Sequence, residues 1–233
     1  MKLLASLCLV AFLSVSVSVS ATAATLTATY TGFYASDGTH DTKAYATGVL
    51  GGLGEEHKGY VVFDLSGITP GTILSSATAL LPNPSSLIAG GGISSLTTNL
   101  YAVPSASYAN WASPGVSLGQ ANFGYIGSPG PAGTPLVSSV GITQADSGTI
   151  IPFTFNAAGL QILTNAEGTD FVAFGLSITN LDSGNLYSQY AFDLTQPVFN
   201  PQPVHLQINA VPEPGTLCFA LLSITLVAVK RRR

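Results

Sequence analysis

The sequence K-G-Y-V-V-F-D-L at Lys58–Leu65 is the strongest strand pattern in the chain and decides the fold class. Its residues are largely β-branched or aromatic, which are the types enriched in strands. Apolar side chains follow one another without polar alternation from Tyr60 to Phe63. Such a run is typical of a strand that is buried on both faces of its sheet. We therefore predict a central strand at this position and a mostly β fold around it.

Further short strands, separated by Gly/Pro-rich turns, are predicted on both sides of this run. They are Thr25–Tyr34, Ala44–Leu50, Thr72–Leu81 ending at Pro82-Asn83-Pro84, Leu96–Val103, Asn122–Ile126, Leu136–Val140, Thr149–Asn156, Asp170–Thr179, Tyr190–Leu194 and Val204–Ala210. One helix is predicted at Ala157–Ala166, with Asn156 as its N-cap. Many short strands with one brief helix indicate an all-β domain, a β-sandwich, over residues 24–210.

Composition limits what this domain can bind. Residues 24–210 contain two lysines, no arginine and ten carboxylates, which gives a net charge of −8, against −4 for the whole chain. A surface with so few cations is poorly suited to nucleic acid, because phosphate contacts need Lys and Arg. The two cysteines, Cys8 and Cys218, lie outside these residues, so neither a disulfide nor a cysteine-based metal site is expected in the domain.

The first 23 residues have the three parts of a secretory signal peptide. Met1-Lys2 supplies a cationic start, Leu3–Val19 an apolar region, and Ala21-Thr22-Ala23 an A-x-A cleavage site. We predict residues 1–23 to be a signal peptide, with a retained N-terminal anchor as the alternative. The protein is thus expected to be exported.

The last residues, 211–233, have a different but equally ordered composition. Pro212-Glu213-Pro214 precedes the apolar run Leu217–Val229, and a basic tail of Lys230, Arg231, Arg232 and Arg233 follows. As a helix the run would span roughly 20 Å at 1.5 Å per residue. That is shorter than the ~30 Å hydrocarbon core, so counting from Gly215 and with snorkelling cations it makes a marginal transmembrane helix. The basic tail should stay cytoplasmic. The alternative is a buried terminal element of a globular domain.

A P-E-P tripeptide, an apolar run and a basic cluster in this order resemble the PEP-CTERM sorting signal. The matching residues are Pro212, Glu213, Pro214, Leu217–Val229 and Lys230–Arg233. The resemblance implies recognition by exosortase, a membrane-embedded transpeptidase-like protease of Gram-negative bacteria. It also implies transient residence in the inner membrane, removal of the apolar tail, and delivery to the cell surface or an extracellular polysaccharide matrix.

A second resemblance concerns the domain itself. Its segments are similar to a recurrent ectodomain of PEP-CTERM proteins, for which no activity is implied, at Gly32-Phe33-Tyr34, Thr39-His40-Asp41, Tyr60–Ser66, Ser75–Thr78 and Asn156–Leu160. The F-D-L-S-G sequence at Phe63–Gly67 followed by Ser76-Ala77-Thr78 is also similar to jelly-roll modules of secreted carbohydrate-active enzymes. The resemblance implies a jelly-roll-like β-sandwich.

The sequence does not predict a catalytic centre. Its histidines are His40, His57 and His205, and no G-x-S-x-G elbow accompanies them. Paired carboxylates for glycoside hydrolysis would have to come from a set that no pattern places together, Glu55, Glu56, Asp64 and Asp170. We predict that the protein is not an enzyme.

Two binding sites are candidates. The loop containing Asp37, Thr39 and Asp41 offers oxygen ligands suited to Ca²⁺, and the alternative is an Asx-turn in which Asp37 bonds its own backbone. Aromatic residues of the loop-rich middle offer faces for glycan contact, and the alternative is that they belong to the core: Tyr101, Tyr108, Trp111 and Tyr125. No cofactor is expected; the alternatives are calcium at this loop, or a softer metal held by His40 together with His57 or His205.

These observations rank three functions. The first is a non-catalytic, secreted and exosortase-sorted protein of the cell surface or matrix, whose partners are exosortase, the secretion machinery, the membrane transiently, and extracellular polysaccharide. The second is a carbohydrate-binding module, stabilised by calcium. The third is a secreted hydrolase.

Overall fold

A computed structural model of the protein describes residues 22–41, 45–49, 55–88, 92–103, 123–124, 126, 136–168, 171–182, 189–192 and 202–211. Within these residues the chain is mostly β, with one short α-helix and two antiparallel sheets. The strands are β1 Thr22–Thr27, β2 Tyr30–Ala35, β3 His40–Asp41, β4 Thr47–Val49, β5 Glu56–Asp64, β6 Ile73–Asn83, β7 Leu87–Ile88, β8 Leu96–Val103, β9 Leu136–Ile142, β10 Thr149–Thr154, β11 Phe171–Ile178, β12 Gln189–Ala191 and β13 His205–Val211. The helix, α1, is Ala157–Ala166.

The smaller sheet has four strands in the spatial order β1-β13-β6-β10. Buried and exposed side chains alternate along β13, where Leu206, Ile208 and Ala210 are buried and the residues between them are exposed. This period of two places one face of the sheet on the core and the other in solvent.

The larger sheet has nine strands and is curled. Its main path runs β7-β12-β4-β5-β11-β8-β9, and off this path β2 pairs with β5 and β3 pairs with β2. The four residues from Tyr60 to Phe63 of β5 are each at most 2% exposed. The prediction of a central strand buried on both faces is therefore confirmed.

Two apolar clusters explain this double burial. The main one takes residues from both sheets and lies between them; it includes Phe63 and Phe174 of the larger sheet and Phe153 of the smaller. The second covers the opposite face of the larger sheet and consists of Tyr34, Tyr60, Val62, Val103, Ile126 and Ala173. Ile126 thus supplies part of the layer that keeps β5 from solvent.

The prediction of one continuous strand at Thr25–Tyr34 is wrong. The segment divides into β1 and β2, which belong to different sheets. The Ala28 N–H donates to the Val204 carbonyl (2.9 Å), whereas the next N–H, that of Thr29, donates to the Val62 carbonyl (2.7 Å). The chain therefore changes sheets between these two residues, at a bend at Thr29, although apolar and polar residues go on alternating in the sequence through this corner.

Strand β6 continues through Pro82 and Asn83, where a strand end was predicted. The pairing of β13 with β6 begins at Leu80, so Pro82 has a neighbouring strand only on the β10 side. A proline is tolerated there because its missing N–H has no ladder partner to lose. The prediction of a short strand around Asn122–Ile126 is also wrong, because Phe123 and Gly124 are helical.

Helix α1 has the predicted bounds and the predicted cap. The Asn156 side-chain oxygen accepts a hydrogen bond from the Gly159 N–H (3.0 Å), and the amide group donates to the Leu136 carbonyl (2.8 Å). Leu163 is buried in the main cluster and Leu160 packs against it. Asn156 thus fixes the start of the helix and joins it to β9.

Candidate functional site

The candidate calcium loop lies between β2 and β3. One carboxylate oxygen of Asp37 accepts from the Thr39 N–H (2.7 Å) and the other from the Thr39 hydroxyl (2.8 Å). These two bonds favour the charged form and hold the pKa of Asp37 below its ordinary value. The Thr39 carbonyl accepts from the Ala35 N–H (2.7 Å). The loop therefore has the Asx-turn that was the alternative to a metal site.

The remaining candidate ligand, Asp41, lies on β3, where its backbone pairs with Phe33. Among the described residues, no three His, Cys, Asp or Glu side chains are close enough to hold one metal ion. A calcium ion at this loop would have to share its oxygens with the hydrogen bonds just described. Calcium binding stays a prediction from the sequence.

Behind the loop, two tyrosines and a histidine form a stack on the outer face of the larger sheet. The Tyr34 ring lies 5.3 Å from that of Tyr60 and 5.4 Å from that of His40, centroid to centroid. Burial raises the pKa of Tyr60, and Tyr34 and Asp41 nearby raise it further. The Tyr60 phenol therefore stays protonated at physiological pH and acts as a neutral group.

Sequence reasoning missed this stack, although one pattern pointed to it. Gly32 faces Tyr60 across the β2–β5 pair, and a Cβ at Gly32 would collide with the Tyr60 ring and hydroxyl. A glycine two residues before Tyr34 in an alternating strand indicates that a large side chain crosses above it. That rule gives the presence of a neighbour but not its identity, because the register between β2 and β5 is not encoded locally.

Lys58 is one of the two cations of the domain and has a local role. Its Nζ lies 4.0 Å above the centre of the Phe123 ring and 3.5 Å from the Phe123 carbonyl oxygen. Burial lowers the pKa of Lys58. The side chain thus attaches residue 123 to the sheet through a cation–π contact, and contributes little to a surface that would attract anions.

The residues considered for catalysis are spread over the molecule. His205 lies on the smaller sheet, 3.4 Å from the Thr27 hydroxyl, whereas His40 and His57 lie on the larger one. Glu56 and Asp64 are at opposite ends of β5, about 26 Å apart at ~3.3 Å per residue. Paired glycosidase carboxylates are about 5–9.5 Å apart. These two carboxylates are therefore too distant to act together; Asp170 is outside the described residues.

Of the four candidate glycan contacts, the structure describes one. Tyr101 is 6% exposed on β8, and its hydroxyl accepts a hydrogen bond from the Asn99 side-chain amide (2.9 Å). A sugar ring cannot stack on a tyrosine face that is covered by protein. Tyr101 therefore belongs to the core, which was the alternative to a glycan contact. Tyr108, Trp111 and Tyr125 lie outside the described residues.

The two ends of the described domain lie side by side. Strand β1 is antiparallel to β13, and its first residue, Thr22, is opposite Ala210. The predicted signal-peptide cleavage site after Ala23 lies within β1, and the P-E-P tripeptide directly follows the last residue of β13, Val211. Whatever processing occurs at the two sites therefore occurs at the same end of the smaller sheet.

The sorting residues Pro212, Glu213 and Pro214, and the basic residues Lys230–Arg233, lie outside the described residues. Among the helices that the structure describes, none is long and apolar enough to cross a membrane.

No family model matches the sequence, and a search of curated proteins finds no match either. The function must therefore be argued from this chain's own residues.

Proposed function

We propose that the protein is a secreted, exosortase-sorted component of the cell surface or extracellular polysaccharide matrix, with no catalytic role. Its domain is a jelly-roll-like β-sandwich, and residues 211–233 are a sorting signal that is removed during export. The partners are exosortase, the secretion machinery and, during processing, the inner membrane.

The observation that carries the proposal is the order of parts at the end of the domain. Strand β13 ends at Val211, and Pro212-Glu213-Pro214, the apolar run and the four cations follow without an intervening linker. A cationic cluster directly after an apolar run has no role in a soluble core, whereas it sets the orientation of a membrane segment. The predicted signal peptide at the other end supports the same destination.

The domain composition supports export as well. With a net charge of −8 and no arginine, residues 24–210 are poorly suited to bind nucleic acid through phosphate contacts. The absence of cysteine from these residues makes the fold independent of the redox state of the compartment.

The test is processing of the full chain in a bacterium that has exosortase and in its exosortase deletion mutant. We expect the chain to lose the mass of its C-terminal segment and to appear outside the inner membrane only when exosortase is present. Replacement of Pro212, Glu213 and Pro214 by alanine should leave the full-length tail attached and the protein in the inner-membrane fraction. Mass spectrometry of the C-terminal peptide and membrane fractionation measure both effects.

A second tripeptide of the chain provides a matched control. Pro201-Gln202-Pro203 lies eleven residues before the sorting tripeptide and has two prolines in the same spacing. Its replacement by three alanines should leave processing unchanged. The same C-terminal peptide in the presence and absence of exosortase would refute the proposal, as would equal loss of processing in the two alanine variants.

A further inference from the structure

The two edge strands of the smaller sheet, β1 and β10, differ in whether their outward-facing backbone groups can pair with a further strand. In an antiparallel pair, alternate residues direct their N–H and C=O groups to the same neighbour. Ala28 donates to Val204, next to β13, while Thr29 donates to Val62, on the other side. By this alternation, the backbone groups of Leu26 face β13. Those of Thr25 and Thr27 face the other edge of β1, which has no neighbouring strand among the described residues.

The opposite edge, β10, is blocked. The Phe155 N–H donates to the Ala77 carbonyl (2.9 Å), so Phe153 and Ile151 also face β6, while Ile150, Pro152 and Thr154 face outward. Pro152 lacks an N–H and lies at the central outward position. A proline on an edge strand prevents the addition of another strand. The core-facing residues of this edge, Ile151 and Phe153, are at most 5% exposed.

Within the described residues, the β1 edge has neither a proline nor fully buried core-facing side chains. Its sequence, T-A-A-T-L-T, contains neither a charge nor a proline. Its core-facing residues Ala24 and Leu26 are only half-buried, although Leu26 packs against the main cluster. An uncharged edge strand with an incompletely covered apolar side chain is suited to pair with a further strand.

We propose that β1 pairs antiparallel with β1 of a second copy of this chain. The two-fold axis passes at Leu26, so that Thr25 of each copy faces Thr27 of the other and their outward N–H and C=O groups bond. Leu26 then lies opposite Leu26 of the partner copy on the core face. Each leucine side chain covers exposed surface of the other. The smaller sheets of the two copies join into one.

The chemistry of the strand favours a second copy over another partner. A two-fold pairing brings identical residues together, and β1 has no charge that would repel its own copy. Because Thr25 and Thr27 lie after Ala23, signal-peptide cleavage leaves them in place. The pairing involves only a few residues on each side, so the dimer should be weak in dilute solution, and a method that captures it covalently is needed.

Disulfide trapping of the full chain tests the pairing. In a Cys8→Ser, Cys218→Ser background, Leu26→Cys places two thiols on a pair of residues whose Cα atoms are about 4.5 Å apart in an antiparallel ladder. That distance lies within the range that a disulfide spans. We expect diamide treatment of cell extracts to give a band of twice the monomer mass on non-reducing electrophoresis, roughly tenfold stronger than for a control cysteine far from the axis.

Leu74→Cys is the matched control, since Leu74 is also half-buried, packs on the same cluster and lies on β6, two strands away from the β1 edge. A second comparison uses proline. Thr25→Pro removes an outward N–H of β1 and should abolish the cross-link of Leu26→Cys, whereas Thr154→Pro, at the already blocked edge, should leave it intact.

Equal cross-linking of Leu26→Cys and Leu74→Cys would overturn the proposal, and so would a cross-link insensitive to Thr25→Pro. A cross-linked product of another mass would show a different occupant of the edge and would also overturn it. Since diamide is added to extracts of a host without exosortase, the result does not depend on whether the sorting proposal holds.

Discussion

The two sheets of this protein bury their residues in different ways. In the smaller sheet, β13 has buried and exposed residues in strict alternation. In the larger sheet, β11 has seven consecutive buried residues, Val172–Ile178. The difference follows from the second apolar cluster, which covers the outer face of the larger sheet, whereas the outward-facing residues of β13, such as Gln207 and Asn209, are exposed to solvent. Substitutions should therefore be tolerated on one face of the smaller sheet and on neither face of the larger one.

The largest effect is expected for Phe174→Ala on β11. Phe174 is fully buried, and its ring lies 4.9 Å from that of Phe155 in an edge-to-face contact and 6.4 Å from that of Phe63. Its truncation leaves a cavity between the sheets and should lower the free energy of unfolding by about 3–5 kcal/mol, measured by urea titration.

Thr154→Ala is its control on the smaller sheet. Thr154 is exposed on the outer face of β10, so its loss should change the free energy of unfolding by no more than about 0.5 kcal/mol. If both variants lost similar amounts, the contrast between the sheets would be wrong.

A smaller effect should come from the outer face of the larger sheet. A Cβ at Gly175 would lie 2.5 Å from the Ile126 Cγ2 atom, closer than side chains approach in folded proteins. Gly175→Ala should therefore cost about 1–3 kcal/mol through overpacking. In an Ile126→Ala background the same substitution should cost much less, because the clashing atoms are gone.

This double-mutant cycle asks whether Ile126 packs on the sheet as described. Additive effects of the two substitutions would show that it does not, and the outer face of the larger sheet would then be exposed to solvent at Gly175. Urea titrations of the four proteins give the coupling energy directly, and Thr154→Ala again serves as the exposed reference.

The comparison also explains which parts of the fold the sequence predicts. The sequence predicts the central strand at Tyr60–Phe63 because a strand buried on both faces must be apolar at every position. It predicts the helix Ala157–Ala166 because Asn156 supplies a local cap. Both patterns depend on neighbours in sequence. The corner at Ala28-Thr29 was missed because it depends on Val62 and Val204, which are distant in sequence and leave the local alternation unchanged.

The candidate sites show the same limit. The Asx-turn at Asp37 involves Thr39 two residues away, so the sequence offered it as an alternative to calcium. The burial of Tyr101 depends on packing across the sheet, and no local pattern distinguishes a buried tyrosine from an exposed one. The same holds for Asn83, a buried residue of β6 that bonds Phe192 and Asp146 and that no pattern singled out.

The smallest effect is expected at the turn that connects the two sheets. Between β9 of the larger sheet and β10 of the smaller one, Gln144–Asp146 form a 3₁₀ turn. The Asp146 carboxylate accepts hydrogen bonds from the Thr143 N–H (2.7 Å) and hydroxyl (2.8 Å). These bonds lower the pKa of Asp146 in the folded protein.

A lowered folded-state pKa means that Asp146 stabilises the fold above the ordinary aspartate pKa, and that this contribution is lost as the pH falls through the folded value. Because the carboxylate is only half-buried and solvent screens it, the loss should be below about 1 kcal/mol. Asp146→Asn should therefore have a lower free energy of unfolding than the parent at neutral pH. At pH values below the folded pKa of Asp146 the two free energies of unfolding should become similar, as measured by urea titrations across the acid range. A difference in the free energy of unfolding that is the same at every pH would mean that other contacts hold the turn. One such contact is the hydrogen bond from the Asn83 side-chain amide to the Asp146 carbonyl (3.0 Å). The connection between the two sheets would then not depend on the charge of Asp146.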